Sequence, residues 1–210
     1  MAYDFKKAEK QYYQPKDTPV IITIPKMHFL AITGKGNPNE EGGEYQTALG
    51  KLYGVAYTLR MSYKQGYDIP GYEEYVVPPL EGLWWMNDIC GIDYGNKDQF
   101  HWISLLRLPD FIREEDITWA IEQTAKKKKI DCEAVYHFIY DEGLCVQCMH
   151  LGAFDDEPAT VMKMNQYLAE HGYEEDIQEE RYHHELYLSG KSFDPVKMRT
   201  VIRHPIKKSK

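Results

Sequence analysis

The sequence has no run approaching the roughly 18 consecutive apolar residues that a membrane-spanning helix needs. Its first residues, MAYDFKKAEKQ, hold no apolar signal-peptide core. Cysteine is scarce, with only Cys90, Cys132, Cys145 and Cys148 in 210 residues, too few for a disulfide scaffold and in keeping with reduced thiols. Positive charge is in deficit. The 25 Lys and Arg face 33 Asp and Glu, a formal net charge of −8, and this excludes the basic surface of a general nucleic-acid or anionic-membrane binder. The expectation is a cytoplasmic protein with no nucleic acid and no membrane among its partners, a monomer or weak dimer.

Several cofactor signatures are missing as well. Gly34-Lys-Gly36 lacks the third glycine of a dinucleotide fingerprint, since position 39 is Asn. Cys145-Val-Gln-Cys148 has the spacing of a redox or zinc pair, but it falls in a predicted strand, where residues three apart point to opposite faces. No His-x-x-x-His occurs, and adjacent His183 and His184 point apart in a strand. No cofactor and no metal are expected.

Aromatic residues are abundant: 17 Tyr, 4 Trp and 7 Phe make 13% of the chain. Tyr and Trp combine a large apolar body with a polar tip, which suits the wall of a pocket for flat or cationic molecules. At 43% apolar content the chain can bury a sound core as a single domain over 1–210.

Periodicity divides the chain into elements. Residues 3–13 read as a short amphipathic helix, and Val20 to Gly34 as a β-branched strand interrupted at Pro25. Tyr45, Leu49, Leu52, Ala56, Leu59 and Tyr63 recur at helical spacing from about Glu44 to Gln65. Strand candidates follow at 72–86, broken at Pro78-Pro79, and at 100–108. Residues 114–129 predict a helix with acidic residues at its start and lysines at its end. Strands are expected at 134–140 and 144–151, with Asp141-Glu142-Gly143 as a hairpin signal. A helix over 158–171 begins with Pro158 in its first turn, and strands at 180–188 and 198–206 close the chain.

Both halves thus read strand, acidic Gly-containing loop, helix, strand, strand. Ser104-Leu-Leu-Arg107-Leu-Pro109 and Thr200-Val-Ile-Arg203-His-Pro205 end them with one pattern, which argues for duplication. The expected fold class is α+β, two βαββ units over about 20–109 and 114–206 with pseudo-twofold symmetry around a central ligand cleft. In the segment 182–188, period two puts His183, Glu185 and Tyr187 on one face and His184, Leu186 and Leu188 on the other. A carboxylate in an aromatic cleft pairs a cationic ligand, or acts as a base on water if burial raises its pKa.

The residues His150-Leu-Gly152-Ala-Phe154-Asp-Asp-Glu157-Pro158, His184-Glu185-Leu-Tyr187-Leu-Ser189 and Lys197-Met-Arg-Thr-Val-Ile-Arg203-His-Pro205 resemble the GyrI-like small-molecule-binding proteins, as does Pro79-Leu-Glu81-Gly-Leu-Trp84-Trp85. Two departures stand out: Ala153-Phe154 where Gly-Pro-Tyr is usual, and Ser189-Gly190-Lys191 in place of Ser-Asp-Pro. The resemblance implies a duplicated fold related to the effector-binding domains of multidrug-responsive activators, with Glu185 matching the glutamate that pairs cationic aromatic drugs. Stand-alone members are associated with hydrolytic opening of the cyclopropane ring of yatakemycin- and duocarmycin-type alkylators, using an aromatic belt. Only about 19 residues precede the first strand, so no helix-turn-helix and no regulator role is expected. The candidate catalytic residues are Glu185, Tyr187 and, in reserve, Glu157. Trp84, Trp85, Trp102, Tyr53, Tyr57, Tyr140, Phe154 and His183 are candidate ligand-binding residues. The alternative is a non-catalytic, drug-sequestering or gyrase-interacting protein.

Overall fold

The computed structural model describes residues 2–87, 89, 92–189 and 194–209. Cys90, Gly190 and Lys191 lie outside the described residues. Five helices and nine strands are described: α1 (Phe5–Ala8), α2 (Lys10–Tyr13), β1 (Val20–Ile24), β2 (Met27–Lys35), α3 (Glu44–Arg60), β3 (Glu81–Trp85), β4 (His101–Arg107), α4 (Glu114–Lys128), β5 (Val135–Tyr140), β6 (Gly143–Leu151), α5 (Glu157–Glu170), β7 (Tyr173–Glu175), β8 (His183–Tyr187) and β9 (Arg199–Lys208). None of these helices is long and apolar enough to cross a membrane.

The sheet is antiparallel, and its pairing is symmetric between the halves. In the first half β2 pairs β4 and β4 pairs β3; in the second, β6 pairs β9 and β9 pairs β8. The halves join where β3 pairs β8, with Gly82 opposite Glu185 and Trp84 opposite His183. They join again along β1–β6 and β2–β5, so the pairing path returns to its own start. This is the α+β fold with two related units that the element order predicted.

One expectation fails here. Asp141-Glu142-Gly143 is not a hairpin tip, because β5 and β6 do not pair with each other. They continue one another, as β1 and β2 do, and the register runs from Ile24 opposite Gly143 to Met27 opposite Tyr140 without a slip. Gly143 supplies the bend at φ 67°, and Glu142, 3% exposed, turns inward to charged partners rather than out to water. The N-terminal helix is also split in two at Glu9 (φ −114°, ψ 51°), whose carboxylate pairs Arg107. The strand expected over 72–86 is confined to β3, since Pro78 and Pro79 cannot donate to a ladder. β7, three residues long, carries too little pattern to be read from sequence.

Alternation sorts the core. Leu30, Leu52, Leu59, Leu106 and Ile117 pack where α3 and α4 cover one flank of the sheet, and Cys148, Met164, Leu168 and Ile202 pack beneath α5. Phe29, Ala31, Leu83, Leu105 and Cys145 fill the opposite face. Cys145 and Cys148 thus sit in separate clusters, as their strand spacing predicts.

That opposite face also carries buried charge. His184 lies between Glu81 (3.1 Å) and Glu142 (3.0 Å), and Glu142 takes a second cation from Arg203 (3.0 Å). Arg203 further donates to Gln147 Oε1 and to the carbonyl of Tyr12, while the Tyr13 hydroxyl donates to Glu81. The two cations hold the Glu142 carboxyl down at about 2 against its burial, and the carboxylates push His184 up to about 9.

Candidate functional site

A cleft of about 510 Å³ opens between α3 and the start of α5, over the seam where β3 meets β8. This is an ordinary volume for a small-molecule site. Tyr45, Leu49 and Tyr53 line it from α3, spaced at helical intervals along one face. Trp84 comes from β3, and Glu185 and Tyr187 from β8. Ile92, Tyr94, Phe100 and Phe154 complete much of the apolar wall.

The placement of the candidate residues follows from strand and helix period. Glu185 and Tyr187 face the cleft together, two residues apart. Trp84, adjacent to Trp85, takes the cleft side, and Trp85 is turned to the other face, where it stacks with His101 and meets Tyr182. Trp102 lies opposite Trp84 across the strands but is fully buried behind Tyr45, whose ring meets it edge-on at 5.0 Å. Tyr53 lines the cleft, whereas Tyr57, one turn on, is 52% exposed. Tyr140, at the end of β5, lies on the opposite face, where it stacks on Phe138 and meets the His184 ring edge-on at 6.4 Å. Trp85, Trp102, Tyr57 and Tyr140 are therefore not cleft-lining residues. Phe154 lines the cleft, edge-on to Tyr187 at 5.7 Å. His183 and Glu157 stand behind Glu185, both buried.

Three aromatic lining residues, Tyr45, Tyr94 and Phe100, were not among the candidates. Tyr45 shares the α3 stripe that marked the helix, and helical spacing alone assigns it no ligand role. Tyr94 sits in the loop after β3, and loop side chains carry no periodic signal.

Glu185 is the centre of a hydrogen-bonded group. His183 Nε2 lies 2.8 Å from Glu185 Oε1 and 3.9 Å from Glu157 Oε2. The Tyr94 hydroxyl donates to Glu157 Oε2 at 3.0 Å. Tyr187 accepts a hydrogen bond from the Trp84 indole at 2.8 Å and donates to Glu185. Glu157, wholly buried at the start of α5, sits where the helix dipole favours a carboxylate. Burial and the neighbouring Glu185 carboxylate outweigh the dipole and hold the Glu157 carboxyl well above the ordinary range, so it keeps a proton more readily than an ordinary glutamate. Its Oε1 has no partner while both carboxyls are ionised, and a proton there gives it an acceptor in Glu185. Burial and the Glu185 charge likewise raise the Tyr187 phenol, which stays a donor.

Ligand atoms of Glu157, His183 and Glu185 all lie within 4.8 Å of one another, a spacing that a divalent cation can span. The hydrogen bonds already made at His183 Nε2 and Glu157 Oε2 suit a site ordered by protons. At the mouth, Lys97 is paired to Asp155 at 2.7 Å. A carboxyl group on the floor, Glu185, with a second one behind it and aromatic walls around it, can hold a flat or cationic molecule and activate a water against it.

The fold recurs in known proteins. A crystal structure of a hydrolase from Listeria innocua is 42% identical, covering 98% of this chain and 100% of its own, with a TM-score of 0.89. An uncharacterized conserved protein from Listeria innocua is 43% identical over the same shares, with a TM-score of 0.92. The EcmrR C-terminal domain, 12% identical over 91% of this chain and 98% of its own at a TM-score of 0.56, shares the fold. No curated protein matches the sequence. Residues 17–205 match the GyrI-like small molecule binding domain, and the chain belongs to that family.

Proposed function

We propose that the cleft binds planar aromatic or cationic xenobiotics and hydrolyses those that carry a strained electrophilic ring, such as a cyclopropane fused to a dienone. The observation that carries this reading is the Glu185 carboxylate on the floor of an aromatic cavity, hydrogen-bonded by Tyr187 and His183 and backed by Glu157. The Listeria innocua relative described as a hydrolase supports the hydrolytic part.

In this mechanism Tyr53, Trp84 and Phe154 hold the flat substrate so that its ring carbon faces a water on Glu185. As the water oxygen bonds to that carbon, the ring C–C bond breaks and its electron pair passes into the dienone, leaving a phenolate. Glu185 takes the proton of the water and gives it up to solvent after the step, while the phenolate takes one from solvent. Water is added overall. Ring strain lowers the barrier, so orientation and one general base supply the rest. Tyr187 holds the carboxylate in place, and protonated Glu157 keeps a second negative charge away from it.

The test is incubation of the purified protein with a spirocyclopropyl dienone, following the water adduct by mass spectrometry, with ethidium fluorescence as a separate measure of cleft binding. Glu185→Gln should lower product formation about 100-fold or more, the scale of a lost general base. Product unaffected by the substitution removes Glu185 from the chemistry. Ethidium binding without product in the wild type leaves a binder that is not a hydrolase.

A further inference from the structure

Behind Glu185 the hydrogen bonds continue away from the cleft. His183 Nδ1 lies 2.6 Å from His204 Nε2, and His204 Nδ1 lies 2.5 Å from Glu175 Oε1. Four groups on three strands, β8, β9 and β7, thus form an unbroken chain of three hydrogen bonds. It runs beneath α5, from which Asn165 hydrogen-bonds Glu175. The two histidine side chains are each 3% exposed, whereas Glu175 is 25% exposed at the sheet edge. One end of the chain therefore touches the cleft and the other touches water.

We propose that His183, His204 and Glu175 form a proton relay between Glu185 in the cleft and solvent at the β7 edge. The relay has two end states. In the first, protonated Glu185 donates to His183 Nε2, His183 Nδ1–H donates to His204 Nε2, and His204 Nδ1–H donates to an ionised Glu175. Moving each of the three protons across its own hydrogen bond gives the second: Glu185 ionised, both imidazoles carrying the proton on Nε2, and Glu175 protonated. Each O–H or N–H bond broken is matched by one formed on the partner atom. Both imidazoles are neutral in both states, and the four groups carry one negative charge throughout. Solvent water at the sheet edge accepts the proton from Glu175.

This inference rests on the hydrolytic reading for its use. Glu185 is only 7% exposed, and a substrate in the cleft closes its path to water at the mouth. The relay offers the proton taken from the attacking water a second way out. Among the described residues, Glu157, Tyr45, Tyr94 and Tyr187 face it at the cleft end and Asn165 at the rim. Burial lowers the His204 pKa, which keeps its imidazole in the neutral form that two-sided transfer requires. His184, one residue away, takes no part, because it points to the opposite face.

Glu175→Gln keeps the size and one hydrogen bond to His204 but cannot pass a proton. Ring ¹⁵N NMR of histidine, at neutral pH and without substrate, should show the His183 tautomer balance shifted in the variant, three hydrogen bonds from the substitution, with His184 unmoved. A His183 tautomer balance identical to wild type overturns the relay. Turnover of the spirocyclopropyl dienone should fall about tenfold while ethidium affinity stays within twofold, and added imidazole buffer should restore the rate. A lower rate that imidazole does not restore also overturns it, since a merely structural role predicts that result. If the wild type forms no product, the hydrolytic reading fails and the NMR measurement alone decides the relay.

Discussion

Replacing Glu142 with Gln removes a carboxylate that touches two buried cations of the sheet interior, His184 and Arg203. In the native fold His184 and Arg203 reach it at 3.0 Å each, and all three side chains are at most 2% exposed. His184 is raised from 6.5 to about 9, and at 1.36 kcal/mol per pKa unit that shift corresponds to ~3 kcal/mol, most of it through Glu142. Removing one partner of a buried pair costs about 3–5 kcal/mol, because the cation left behind remains desolvated. In a domain of this size each kcal/mol lowers Tm by about 2–4 °C, so Glu142→Gln should melt about 10 °C below wild type near pH 7. The pH dependence follows by linkage. His184 has a folded pKa above its unfolded one, so its contribution is complete below about 6.5 and is lost as pH rises through about 9. Glu142 has a depressed folded pKa, so its contribution is present above its ordinary value and is lost as pH falls through about 2. Thermal melts of both proteins from pH 4 to 10 measure this. A variant within 2 °C of wild type, or one that keeps the full loss of stability between pH 6.5 and 9, refutes the argument.

A Cβ at Gly82 would stand 2.6 Å from Trp84 Nε1 and 2.9 Å from the Tyr187 hydroxyl, neither of which can yield without breaking their bond. Gly82→Ala should cost about 1–3 kcal/mol by overpacking and weaken ethidium binding, read by melts and by Trp fluorescence; unchanged binding shows that the Trp84–Tyr187 pair does not shape the cleft. Glu157 has a folded pKa above its unfolded one, so it favours folding at acid pH and this is lost as pH rises through the raised value. Glu157→Gln should therefore match wild type near pH 4 and gain on it steadily toward pH 9 in thermal melts; a variant that falls further behind as pH rises contradicts a protonated Glu157.

The helices were legible because α3, α4 and α5 each bury one stripe, and a stripe repeats at 3.6 residues whatever it packs against. The pairing of halves was legible from Arg107-Leu-Pro109 and Arg203-His-Pro205. What escaped was whatever depends on a distant partner. Asp141-Glu142-Gly143 has the composition of a turn, and only the arrival of Arg203, 61 residues on, makes Glu142 an interior residue. His184 was grouped with Leu186 on the apolar face, correctly by period, but its charge is explained by Glu81, 103 residues away, and Glu142, 42 away. Among the aromatics, type and abundance pointed to a pocket, but Trp85 and Tyr140 are as aromatic as Trp84 and Tyr53. Which face of the sheet lines the cleft decides which rings meet the ligand, and that is not a local property. His204 left a faint trace: it stands in β9 where the related Leu108 follows β4, a polar residue in an apolar place.

The two faces of β8 make these separate systems interdependent. Glu185 and Tyr187 look to the cleft with His183 behind them on the same face, and His184 looks to the interior, where partners from both halves hold it: Glu81 from β3, and Glu142 from the bend between β5 and β6. A slip of β8 by one residue would exchange the faces, putting Glu185 against Glu81 and Glu142 and leaving His184 at the cleft floor. Three carboxylates would then share a buried space with Arg203 as their only close cation among the described residues. The interior charges, worth little as net stability because desolvation offsets their attraction, thus penalise the wrong register at the seam where the halves meet. The interior charge network thereby keeps a single carboxylate at the base of the aromatic cleft, with His183 aligned behind it toward His204.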